Sequence, residues 1–163
     1  MDISRSFIEG LILSVGFLII LILSLAVNPR IWLKDYPKDI QRMTTSQTPH
    51  EKKQMHKLGI PLGLLVIIPL VFSLVLDSQQ ITFWQAFIHF YVLFTIVSLA
   101  DLIILDWLIF CLITPKFIVI PGTEGAKGYK NYLFHFIGFL KGCVILAVLS
   151  FLLSSIRIAA TWL

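Results

Sequence analysis

At 163 residues the chain is long enough for one domain, and 58% apolar content with a mean hydropathy of +0.91 excludes an ordinary soluble globular protein. The net charge of +4 sits in loops between apolar stretches, which reads as a membrane-topology signal and argues against a nucleic-acid partner. Cys111 and Cys143 stand far apart with no CxxC pair, so neither a disulfide framework nor a cysteine metal site is expected, and each suits a small apolar filler.

Four stretches are apolar over the roughly 20 residues that cross a hydrocarbon core: Phe7 to Val27, Leu58 to Leu76, Phe83 to Thr114 and Leu133 to Ile156. The expected fold is therefore an all-α integral membrane protein, a four-helix bundle forming a single membrane domain over 1–163. The first stretch exceeds the roughly 7 to 15 residues of a signal-peptide core, and Asp2 and Glu9 precede or enter it against Arg5 alone, so it reads as a retained helix. Glu9 falls in its first turn, where an acid complements the helix dipole.

After the first helix, Asn28-Pro29 is a stop signal, and Ile31-Trp32-Leu33 suits the headgroup zone, with Lys34 and Lys38 meeting anionic lipid. Thr48, Pro49 and Glu51 form T-P-x-E, an N-cap with Pro at N1 and Glu at N3, which predicts a short amphipathic helix leading into the second span. "HEKKQ" (50–54) lacks the second His of a zinc-protease helix and is rejected as one. Pro69 should bend the second span. This first long loop carries Arg30, Lys34, Lys38, Arg42, Lys52, Lys53 and Lys57, and the loop after the third span carries Lys116, Lys127 and Lys130. The rule that Lys and Arg stay cytoplasmic then places both loops inside, both termini outside, and the protein in a plasma or inner membrane.

The third span holds the candidate chemistry. Phe83 to Leu105 contains 14 Leu, Ile, Val or Phe residues, worth roughly 4 to 8 kcal/mol of insertion energy, and each central Asp would cost about 2.5 to 3.5 kcal/mol. Asp101 and Asp106 therefore belong near the inner surface. At 100° per residue they share an arc of about 140° with Tyr91, Thr95 and Ser98, one polar stripe deepening toward the loops. His89 near the outer interface reads as a helix-contact residue, not a haem ligand.

Thr114-Pro115 ends this span as Asn28-Pro29 ends the first, and "NPRIWL" (28–33) matches "TPKFIV" (114–119). "HKLGIPLG" (56–63) and "HFIGFLKG" (135–142) share H-x-x-G-x-x-x-G, so the chain reads as two tandem helix-loop-helix repeats, 1–79 and 80–163, related by a pseudo-two-fold axis along the membrane normal. Gly59 with Gly63 and Gly138 with Gly142 are small-xxx-small pairs, expected at close helix contacts, with a homodimer through such a face left open. Phe117 to Ile120 should dip into the interface, and "PGTEGAKGYK" (121–130) matches no phosphate-loop spacing and reads as a turn.

His56 and His135 fall at the inner ends of their spans, so two His and two Asp are expected to converge there, with Lys127, Lys130 and Lys141 placed to meet a headgroup or phosphate. Such a cluster suits either pairing across helices that locks the bundle, or binding or translocation of a small solute, proton or cation. Two alternatives fit the same residues: a membrane-embedded enzyme acting on a lipid or isoprenoid headgroup, and a scaffold or accessory subunit of a membrane complex. No spacing here is a metal-ligand signature, and cofactor and metal stay unassigned.

Overall fold

A computed structural model describes residues 3–76 and 81–160, and its regular structure there is entirely helical. The elements are α1 (Ile3–Val27), the short α2 (Lys38–Arg42), α3 (Pro49–Leu76), α4 (Phe83–Ala100) and α5 (Tyr132–Ala159). Beyond Ala100, α4 continues without a break as a π-helix over Asp101–Ile113, and single 3₁₀ segments occupy Pro29–Asp35 and Lys127–Lys130. Four helices, Ile3–Val27, Pro49–Leu76, Phe83–Ile113 and Tyr132–Ala159, are long and apolar enough to cross a membrane. They coincide with the four apolar stretches of the sequence. Asp2, part of the argument against a signal peptide, lies outside the described residues.

The largest difference in boundary is at α3. The Thr48 cap forms as its sequence implies: the Thr48 N–H donates to Glu51 Oε2 at 2.7 Å and the Glu51 N–H to Thr48 Oγ1 at 3.2 Å. No separate short helix follows, however, because nothing between Pro49 and Leu58 interrupts the helix, which runs straight into the span. Arg30 Nε donates to Glu51 Oε1 at 2.7 Å, tying the start of α3 to the segment just after α1.

Helix α4 is central, with α1 and α5 packed along it, while α3 buries only Glu51, Pro69 and Ser73. The tightest seam joins α1 to α4. Ser6, Gly10 and Ser14 recur every four residues on the buried face of α1, and a Cβ at Gly10 would stand 3.0 Å from the Leu93 carbonyl oxygen and 3.1 Å from Ile96 Cβ. Small residues permit that approach, the main source of helix adhesion in lipid. The glycine pairs named from sequence do not serve this way within the chain. A Cβ at Gly59, Gly63 or Gly138 would meet nothing within 4 Å, and one at Gly142 would make only ordinary contact with Ser98 Oγ at 3.7 Å. Those glycines face outward or border open space, so spacing alone identified the motif but not its seam.

At the end where α1 and α4 finish, called here the loop end, the two long connections fold onto each other. Tyr36 Oη donates to the Ile118 carbonyl at 2.8 Å, and the Gly128 N–H donates to Asp39 Oδ2 at 2.7 Å. A side chain at position 128 would collide with Asp39, which makes Gly128 a close-approach glycine. Between the loops Ile31, Leu33, Ile40, Ile118 and Ile120 are buried. This packing bears on two of the expectations from sequence. The Ile31-Trp32-Leu33 patch and the Phe117 to Ile120 run find apolar partners in each other's loop, with half-buried Trp32 and Phe117 at the margin. The 121–130 segment is indeed a set of turns, with Gly122 and Gly125 at φ +86 and +78, where residues with a Cβ are strained.

Candidate functional site

Asp101 and Asp106 are five residues apart, a spacing that would splay them in an α-helix. In a helix closed by i→i+5 hydrogen bonds, residues five apart stack along one face. The π segment begins at Asp101, so it turns both carboxylates the same way. It closes on Thr114, whose N–H donates to the Ile109 carbonyl at 2.8 Å. Lys130 Nζ then donates to the free carbonyls of Cys111 at 2.6 Å and Leu112 at 3.1 Å, satisfying acceptors that a helix C-terminus leaves open.

The face carrying both Asp borders a cavity of about 480 Å³ at the loop end, within the usual range for small-molecule sites. Every long helix contributes to its wall: Phe17 from α1, Leu62 from α3, Ser98 and the two Asp from α4, His135 and Gly138 from α5. His135, 7% exposed, donates from Nδ1 to Asp106 Oδ1 at 2.8 Å. Its Nε2 is buried with no hydrogen-bond partner among the described residues, and so is Asp101 Oδ1. Leaving such groups unmatched costs roughly 1 to 3 kcal/mol each, so a cavity lined by them is poised for a polar guest.

Three further lining residues come from the segment after α1 and were not assigned to this site from sequence: Trp32, Asp35 and Tyr36. They arrive because that segment turns back under the bundle, held by Trp32 Nε1 donating to Ser24 Oγ at 2.8 Å. Asp35 stands exposed at the rim, where desolvation by the surrounding apolar wall raises its carboxyl above the ordinary range against the opposing pull of Lys34. The rest of the wall is apolar, with six aromatic rings, Phe17, Trp32, Tyr36, Phe110, Phe134 and Phe139, set among five leucines. The charges are spread around the space. Among the described residues no three His, Cys, Asp or Glu side chains converge closely enough to hold a metal ion.

Of the residues expected at this end, the structure brings Asp101, Asp106, His135 and Ser98 together and leaves others out. His56 is exposed on α3 and does not line the cavity, so the anticipated pair of histidines is a single one. Tyr91 stacks on Phe87 with ring centroids 5.8 Å apart, and Thr95 is half-buried; both stand on α4 away from the cavity wall. Lys141 is exposed and outside the wall. Lys127 and Lys130 border a separate surface groove with Lys116 and Glu124, but Lys130 spends its ammonium on the helix-end carbonyls described above.

A second polar group lies at the far end, where α1 and α4 begin and α3 and α5 finish. His89, 1% exposed, has Nδ1 2.8 Å from Ser6 Oγ and Nε2 3.3 Å from Glu9 Oε2, and Arg5 Nε reaches Glu9 Oε1 at 2.6 Å. The helix-contact role expected of His89 is what these distances describe, and Glu9 has two side-chain partners in addition to its helix dipole. Across the bundle the buried Arg157 donates to Ser73 Oγ at 2.9 Å. These groups join helices and border neither the loop-end cavity nor the groove beside Lys127.

No family model matches the chain, and no curated protein or solved structure is similar to it. Its four membrane-length helices mark it as a polytopic membrane protein, and any assignment beyond that rests on the loop-end cavity.

Proposed function

We propose that this membrane protein binds a small organic cation in the loop-end cavity. One observation carries the reading: Asp35, Asp101 and Asp106 are distributed around a space walled by aromatic and leucine side chains and far larger than a bare ion, with a buried Asp101 oxygen that has no hydrogen-bond partner among the described residues. Aromatic faces and carboxylates together are the chemistry that recognises a substituted ammonium, whose charge is spread and weakly hydrated. A lone proton or metal would leave most of the cavity unused. In this reading the basic loops face the cytoplasm, the termini face outward, and the site opens near the inner surface; the excess of Lys and Arg in the two loops supports that orientation. A tandem two-helix repeat remains part of the proposal, supported by Asn28-Pro29 and Thr114-Pro115 each following a spanning helix at the same end.

The test is titration of tetramethylammonium into the protein in lipid nanodiscs, read by tryptophan fluorescence with Trp32→Phe as the control and by native mass spectrometry. Saturable binding is expected, with Asp101→Asn combined with Asp106→Asn at least about tenfold weaker. A wild-type protein that shows no saturable response rules the reading out.

A further inference from the structure

The acidic cavity adjoins a second space toward the middle of the bundle. A second space of about 240 Å³ shares Phe17, Leu62, Ser98, Asp101 and Gly142 with it and extends toward the far end. The extension is walled by apolar side chains, among them Leu13, Val66, Phe94, Ile145, Leu146 and Leu149, and Asp101 is its only charged residue. Asp101 thus stands at the junction of a polar-headed compartment and an apolar one.

Resting on the reading that the cavity takes a cation, we infer that its natural occupant is a single-chain amphiphile, a cationic amine head among Asp35, Asp101 and Asp106 with one hydrocarbon tail in the apolar groove. Four observations bear on this. The two compartments abut along five shared wall residues, Asp101 among them, so a head in one and a tail in the other lie side by side. From Gly142 to Leu149 the groove follows α5 for about 10 Å, at 1.5 Å of rise per residue, room for a tail of roughly eight carbons. Gly142 stands at the join, and a Cβ there would already touch Ser98 Oγ at 3.7 Å, so any large side chain at 142 would narrow the passage. Finally, Ile145 is 67% exposed while lining the groove, so the groove opens on the side of the bundle and a tail can enter laterally from lipid.

The polarity of the site also selects the head. His135 donates to Asp106 and keeps its second nitrogen buried and unpartnered, so a head bearing one or more N–H groups or a compact ammonium finds carboxylate acceptors without displacing that contact. A phosphate head would face three carboxylates. Because bilayer chains are as apolar as the groove, the tail adds fit and orientation more than driving force, and the comparison that isolates it must be made between proteins in the same membrane.

The experiment compares tetramethylammonium with octyltrimethylammonium in nanodiscs of one lipid composition, using wild type, Ile145→Trp and Leu146→Phe. Both substitutions fall in the groove and outside the cavity wall, and the exposed Ile145 tolerates a larger side chain without disturbing the core. The expected result is unchanged tetramethylammonium binding in all three proteins, with octyltrimethylammonium weakened at least about tenfold in both variants. If both variants bind both probes as wild type does, the tail site is overturned while the cation reading stands. If wild type fails to bind tetramethylammonium, the cation reading and this inference fall together.

Discussion

At the far end of the bundle His89 meets Ser6 at 2.8 Å and Glu9 at 3.3 Å, and Arg157 meets Ser73 at 2.9 Å, whereas at the loop end Asp101 and His135 each hold a buried polar atom with no partner among the described residues. The far end is packed around Ala86, Phe90 and Leu93, all fully buried, and the loop end encloses a cavity. Both ends place ionisable groups among apolar helices, at comparable expense in desolvation. What separates them is where the compensation comes from. The far end also keeps the buried Ser150 Oγ without a hydrogen-bond partner among the described residues, but only at the loop end do such atoms belong to ionisable side chains beside a cavity of about 480 Å³.

That contrast breaks most severely at His89. His89→Leu should destabilise the protein by about 3 kcal/mol, because the Ser6 hydroxyl and the Glu9 carboxylate both lose a buried partner. Equilibrium unfolding in mixed micelles reads this directly, and a loss under about 1 kcal/mol would make the far end as expendable as a surface ion pair. Gly10→Ala comes next, at about 2 kcal/mol, since the new methyl must push against the Leu93 carbonyl oxygen in a seam that has no slack. Its control is Gly138→Ala, for which no loss is expected because the added methyl meets nothing in the chain; a clear loss there, accompanied by a change in oligomeric mass, would instead place Gly138 in a contact between copies. The smallest change is expected to have the opposite sign. Asp101→Leu should raise stability by about 1 kcal/mol by removing an unmatched buried carboxylate, while abolishing cation binding. A variant that loses stability instead would show Asp101 to be cohesive, like His89.

Much of the fold was legible in the residues alone. Four long apolar runs became four helices long and apolar enough to cross a membrane, and T-P-x-E announced the start of α3 through a mechanism that the Thr48 and Glu51 hydrogen bonds reproduce. The meeting of Asp106 with His135 followed from depth, because both were counted to the same end of their helices. His56 was counted to the same depth, yet depth does not specify which way a side chain faces, and the weakly packed α3 turns it outward. Trp32, Asp35 and Tyr36 were hidden for another reason. Their position depends on contacts between two loops 80 or more residues apart, such as Tyr36 with Ile118, which no local pattern encodes. Ser6, Gly10 and Ser14 obey the same small-residue rule as the glycine pairs, but two of the three are serines and read as polar until their neighbours are known.

The π segment escaped a wheel drawn at 100° per residue, and it changes how this part of the chain responds to insertion and deletion. Each wide turn holds more residues than an α turn, so the stretch from Asp101 to Ile113 carries spare chain that no other span possesses. Removing one residue there lets the helix rewind into the commoner form with its hydrogen bonds intact, while Asp101 and Asp106 rotate out of alignment. Elsewhere a one-residue deletion turns a whole buried face toward lipid. The segment that aligns Asp101 with Asp106 is thus the part of the spanning helices best able to lose a residue and still close its hydrogen bonds, at the expense of that alignment.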